Sequence, residues 1–241
     1  MCGRLSLFAP PGLLAERFDA DPVREPEPRY NVAPGQDHAV VRNDDPDAVR
    51  FPTWGLVPRW ADASPSSGHH NARAETLTEK PSFRDAFAER RCLVLADGFY
   101  DWKETPTGKQ PYRVEREDRE PFALAGLWEP APDASDAVGR SANGGTADDA
   151  GATFTVVTTE PNAVVEPVHH RMPVVLDRDE EGRWLCEDDP EALADLLDPS
   201  PTPEMRAYPV PSALGDPAND SPDLIEEVPA EEDVQTGLNE F

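Results

Sequence analysis

A chain of 241 residues with 48 acidic against 22 basic side chains carries a formal charge of −26 at pH 7, yet its 38% hydrophobic content is too high for a wholly disordered polyanion. Cys2, Cys92 and Cys186 lie far apart without a CxxC pair, which argues against a disulfide framework and a zinc ribbon. No stretch reaches the roughly 18 apolar residues of a membrane span, and no basic segment followed by an apolar run opens the chain, so a reducing, cytoplasmic setting away from the membrane is expected.

Charge is distributed unevenly. Residues 50–113 hold 10 Lys and Arg against 8 Asp and Glu, a balance of +2, while the remainder carries −28. The acidic excess suits a protein solvated in concentrated salt, or an acidic protein that avoids nucleic acid. Near 1 M salt the Debye length is about 3 Å, so local contacts decide binding and acidity does not exclude DNA.

In chain order, PPGLLAERF (10–18) reads as a short helix, with proline early and Leu13, Leu14, Arg17 and Phe18 at helical spacing. A Pro-rich loop leads to RYNVAPG (29–35). PSFRDAFAERR (81–91) reads as a second helix with Ser82 and Asp85 spaced as a capping pair. CLVLA (92–96) and FYDWK (99–103) read as strands around the turn dipeptide Asp97-Gly98. YRVE (112–115), FALAGLWE (122–129), ATFTVVTT (152–159) and RMPVVL (171–176) are further strands. Residues 131–151, rich in Ala, Asp, Gly and Ser without periodicity, read as a flexible acidic insertion. Asp189-Pro190 starts a helix over EALADLLDP, and DLIEEV is a candidate last strand before an acidic tail at 229–241. Many short strands and few helices, without regular β-α alternation, predict an α+β fold. The expected domain is single and β-rich, with mostly antiparallel strands in a barrel-like core and a few flanking helices, spanning residues 2–228.

Four places carry unusual chemistry. If Met1 is removed, Cys2 offers an amine and a thiol two carbons apart, with ordinary pKa values of about 8 and about 8.5. An aldehyde would condense with that amine and close with the thiol to a thiazolidine; Arg4 beside it would lower the thiol pKa. In NARAET (71–76), Asn71 both donates and accepts, and Arg73 has the forked donors that suit phosphate. In DGFYDWK, alternation puts Phe99, Asp101 and Lys103 on one face and Tyr100 and Trp102 on the other. The carboxylate among aromatics is either functional or paired with Lys103. In VHHRMPVVL, a histidine precedes a buried-looking strand and is a candidate acid-base group near neutrality. Adjacent histidines at 69–70 and 169–170 seldom face one ion, so no metal and no cofactor is expected.

The ordered set MCGR, RYNVAPG, WGLVPRW, NARAET, DGFYDWK and HxRMPVVL resembles the SOS response-associated peptidase (SRAP) family over residues 2 to about 228. That resemblance implies a DNA-damage protein that shields abasic sites in single-stranded DNA through a thiazolidine on the mature terminal cysteine. It also implies AP-lyase activity, peptidase-type self-processing that removes Met1, and a place beside the replication machinery. Carried over, Cys2 supplies both nucleophiles, Asn71 hydrogen-bonds the sugar, and His169 acts as acid-base on the sugar oxygens. Arg73 and Arg171 hold phosphates, Arg4 joins the DNA-binding set, and Pro34, Trp54 and Trp60 shape the channel with aromatic surface for stacking. Asp101 stands where the family's strand normally carries glutamate. His170 stands where the family often has aspartate. A single crosslink needs only a monomer. The alternatives are a thiol peptidase or amidohydrolase that attacks an amide, with Asn71 as oxyanion donor, and a non-covalent single-stranded DNA-binding module.

Overall fold

The computed structural model describes residues 2–106, 108–131, 151–199 and 204–230. Nearly all of the segment expected as an acidic insertion (131–151) and of the expected tail (229–241) lies outside those residues.

Two sheets organise the molecule. The smaller has the order Met205–Pro209, Gly108–Arg116, Gly98–Thr105, Arg4–Leu7, Arg29–Val32, antiparallel throughout. The larger runs from Met172–Pro173 through Thr153–Thr159, Phe122–Glu129, Arg91–Ala96, Val40–Arg42 and Asp45–Arg50 to Asp21–Pro22. Two short strands, Thr53–Trp54 and Asn71–Arg73, add in parallel to Thr153–Thr159. The strand-rich α+β expectation holds. The barrel-like closure is corrected: both strand orders end in free edges, so among the described residues the core is two open sheets.

Strand Arg91–Ala96 explains the layering. Its period-2 side chains are all apolar after Arg91, so both faces must be covered. Leu93 and Leu95 enter a cluster with Leu14, Phe18, Phe87 and Trp184 from the helices. Cys92, Val94 and Ala96 enter a second cluster with Leu5 and Phe99 from the smaller sheet and Cys2 from the segment ahead of it. A third cluster, Tyr100 with Tyr208, Val210, Leu214 and Leu224, covers the outer face of that smaller sheet. Alternation along Gly98–Thr105 thus sends Phe99 inward and Tyr100 outward, as the sequence pattern requires.

Helix Pro11–Phe18 forms as expected, with Leu14 and Phe18 buried one turn apart and Asp19 ending it at φ 50°. Several local expectations change. The second helix is only Arg84–Glu89, and its first flanking residue is Phe83, without the Ser82–Asp85 cap. The DLIEEV segment is a 3-10 turn, Pro222–Ile225, rather than a strand. RMPVVL divides into Met172–Pro173 and Val175–Leu176, which pair with different strands. Helix Arg178–Cys186 adds to the expected elements, and its reciprocal capping box, Asp177 with Glu180, is a readable sequence signal. Asp97-Gly98 is not a hairpin turn: the strand before it belongs to the larger sheet and the strand after it to the smaller.

Candidate functional site

Cys2 lies two residues before strand Arg4–Leu7, which pairs Arg4 with Tyr100 and Leu5 with Phe99. That register brings the start of the chain beside Asp101. Cys2 is fully buried within the inter-sheet cluster, and its Sγ lies 3.7 Å from the Arg4 carbonyl. Burial pushes its thiol pKa well up, and the Asp101 carboxylate raises it further. The net direction is thus opposite to the lowering expected from Arg4, whose backbone hydrogen bond lowers the thiol pKa by less than burial raises it. The Arg4 guanidinium instead donates to the carbonyls of Gly3 (3.0 Å) and Gly215 (3.2 Å) and sits 5.8 Å over the Trp102 ring.

Asn71 reaches Cys2 from the other sheet. Its strand pairs Asn71 with Val156 and Arg73 with Thr158, and its Nδ2 donates to the Cys2 carbonyl at 3.0 Å. The Asn71 Oδ1 is buried without a hydrogen-bond partner among the described residues, which leaves an acceptor on the residue expected to hydrogen-bond the sugar.

Asp101 is buried at 3% exposure, so an exposed ion pair with Lys103 does not describe it. Its Oδ1 accepts from the Trp102 amide at 2.9 Å, and its Oδ2 lies 3.4 Å from His169 Nδ1. The same nitrogen lies 3.1 Å from both the Arg171 amide and the Arg171 carbonyl. Two protonation states therefore have partners. Neutral His169 accepts from the Arg171 amide with its proton on Nε2; charged His169 turns Nδ1–H toward Asp101 and the Arg171 carbonyl. Burial lowers the His169 pKa and Asp101 opposes that shift. His170 lies against it with ring centroids 4.3 Å apart.

Arg4, Asp101, Trp102, Lys103, His169 and His170 line an open cavity of about 1250 Å³. Arg73 is exposed on the neighbouring strand end. The Arg171 side chain is only 11% exposed and is held by Glu75, with Nη1 donating to Oε1 at 2.5 Å and Nη2 to Oε2 at 3.1 Å, and by the Thr158 carbonyl at 2.6 Å. Glu75 stands inside the NARAET motif, and its carboxylate two residues after Arg73 is the sequence signal that points to it.

Of the residues expected to shape a channel, Pro34 is half-buried at a turn where Gly35, at φ 87°, donates to the Trp54 carbonyl at 2.7 Å. Trp54 is fully buried, stacked on Phe154, with its indole N–H on the His70 carbonyl at 2.8 Å. Its assignment to base stacking is therefore corrected: it is a core residue of the inter-sheet cluster. Trp60, 70% exposed, has ring surface to offer. No group of three His, Cys, Asp or Glu side chains is placed to hold a metal among the described residues.

Residues 1–217 match the family model described as SOS response associated peptidase (SRAP). The chain is 39% identical over 236 residues to the abasic site processing protein YoqW of Bacillus subtilis (strain 168), covering 94% of this chain and 99% of that one. It is 29% identical over 238 residues to the abasic site processing protein YedK of Escherichia coli (strain K12), covering 95% and 100%. A crystal structure of a protein from Bacteroides thetaiotaomicron shares the fold, with a TM-score of 0.80 at 24% identity over 95% of this chain and 100% of that one.

Proposed function

This chain belongs to the SOS response associated peptidase (SRAP) family, and on that premise we propose that it recognises abasic sites in single-stranded DNA and captures them covalently through Cys2. Relatives named as abasic site processing proteins support the substrate. The convergence of Asn71, Asp101 and His169 on the start of the chain is the observation that carries the chemistry.

Removal of Met1 frees the Cys2 amine. In the ring-opened deoxyribose, C1′ is an aldehyde. The amine nitrogen adds to C1′, and the former carbonyl oxygen leaves as water, giving an imine. The sulfur then adds to the imine carbon while its proton passes to nitrogen, closing a five-membered thiazolidine with one water lost overall. Burial that keeps the thiol protonated supports this order, amine first and sulfur second. Asn71 fixes the Cys2 backbone and offers Oδ1 to the sugar. The charged form of His169, which Asp101 stabilises, gives a proton to the ring oxygen while the C1′ hydroxyl loses its proton to solvent, opening the ring to the aldehyde; ring closure runs the same transfers backwards. AP-lyase chemistry and self-processing belong to the same proposal.

Arg4, Arg73 and Arg171 hold phosphates and Trp60 stacks a base, without sequence readout. The protein acts as a monomer in the cytoplasm, joining the nucleoid and replication machinery when bound. The expected test result is that Cys2→Ala gives no heat-stable adduct with abasic single-stranded DNA on a denaturing gel, while wild-type protein does and its intact mass lacks Met1. An adduct formed by Cys2→Ala overturns the reading. Intact and nicked strands on the same gel separate capture from non-covalent binding.

A further inference from the structure

Arg171 presents its guanidinium fork to Glu75 in a two-point contact, the arrangement an arginine makes with a phosphate. The pair sits where strand Thr153–Thr159 carries Thr158 between its neighbours. Arg73 is registered with Thr158 on one side, and the Arg171 guanidinium donates to the Thr158 carbonyl from the other. Glu75 follows Arg73 by two residues and faces both arginines; the hydrogen bond from Arg171 first, and then both positive charges, draw its pKa down. Its side chain is half exposed, whereas that of Arg171 is nearly covered. Both terminal nitrogens of the guanidinium are thus taken, by the carboxylate and by the Thr158 carbonyl.

We propose that Glu75 occupies the phosphate subsite of the DNA-free protein, so that Arg171 grips a backbone phosphate only after the strand displaces this carboxylate. The inference rests on the DNA reading above and makes Glu75 a specificity-determining residue. Every strand, damaged or intact, must exchange one anion for another at Arg171, which leaves little net gain. Only a strand carrying the aldehyde recovers the difference through the covalent bond. Intact single strands are thereby released, and capture follows the lesion rather than the backbone.

The test measures equilibrium binding of intact single-stranded DNA by full-length protein across a salt series. Glu75→Gln should tighten binding about threefold at low salt, the order of one exposed ion pair. It should also steepen the slope of log K against log salt by up to about 0.7, as one more phosphate contact forms. In an Arg171→Gln background the same change should be nearly silent. Glu79→Gln, which removes an equal charge from an exposed neighbouring position, should leave the slope alone. Binding by Glu75→Gln that is unchanged or weaker makes Glu75 a mere tether for Arg171 and overturns the proposal; an equal gain from Glu79→Gln reduces it to surface charge and does the same. If wild-type protein captures abasic strands while the Glu75→Gln slope stays put, only the Glu75 assignment falls. If wild-type protein neither binds nor captures, the DNA reading falls with it.

Discussion

His169 stands between surroundings that push its proton in opposite directions. Burial disfavours the imidazolium, and Asp101 Oδ2, 3.4 Å from Nδ1, favours it. The balance lies below the ordinary imidazole value, so at neutral pH His169 is largely neutral and accepts from the Arg171 amide. Replacing the carboxylate by an amide removes the favourable partner and leaves burial unopposed. Asp101→Asn should therefore move the His169 titration midpoint further down, followed by NMR of the ring protons. The abasic-strand capture rate at neutral pH should fall by about a hundredfold, the scale of a lost acid-base partner. A midpoint that rises would contradict the arrangement. The same substitution removes the anion that helps hold the Cys2 thiol up, so the thiol pKa should fall in parallel.

Between strands, the decisive element is the corner at Asp97-Gly98, where the chain leaves the larger sheet for the smaller. Asp97 caps the corner by accepting from Ser6 (2.5 Å), from the amides of Phe8 (2.6 Å) and Ala9 (3.2 Å), and from Arg113 (3.3 Å). Arg113, fully buried, also donates to Ser6, Tyr100 and Glu115. A Cβ at Gly98 would lie 2.5 Å from the Arg113 guanidinium carbon, so this glycine is required for room. Gly98→Ala should cost about 2–4 kcal/mol, because a buried charge network must shift to admit a methyl group. Urea denaturation checks this, and a cost below about 1 kcal/mol would show the corner to be adaptable. Because Arg4 pairs with Tyr100 just past the corner, the same substitution should loosen the Cys2 end of the chain. The sequence pattern in CLVLA and DGFYDWK made these strands and their faces legible. It could not show that the dipeptide between them switches sheets, since the group that excludes a side chain there, Arg113, lies 15 residues away. Trp54 and Trp60 were indistinguishable for the same reason: Trp54 is buried by pairing with the strand Thr153–Thr159, a hundred residues on. The residue types at the site were readable from the ordered motifs; the Glu75–Arg171 contact, which joins two of them, was not.

At the scale of the whole molecule, the two sheets bring the first residues, NARAET, DGFYDWK and the histidine loop to one end of the inter-sheet core. The comparatively neutral stretch 50–113 supplies two of those four pieces, so the acidic excess lies mainly elsewhere in the chain. A strand approaching a protein of net charge −26 meets long-range repulsion at low salt, where the Debye length is about 30 Å, and almost none near 1 M, where it is about 3 Å. Phosphate contacts act in the opposite sense, each releasing counterions and weakening binding by about 0.7 in the slope of log K against log salt for a single strand. Three arginines, Arg4, Arg73 and Arg171, would make that slope no steeper than about −2. Two effects make the observed slope shallower: repulsion that eases as salt rises, and the carboxylate that Arg171 already holds. The expected outcome for wild-type protein on intact single-stranded DNA is a slope between about −2 and zero, with capture of abasic strands persisting into molar salt. A slope steeper than about −3 would require more phosphate contacts than these arginines supply, and binding would then be governed by a surface other than this one.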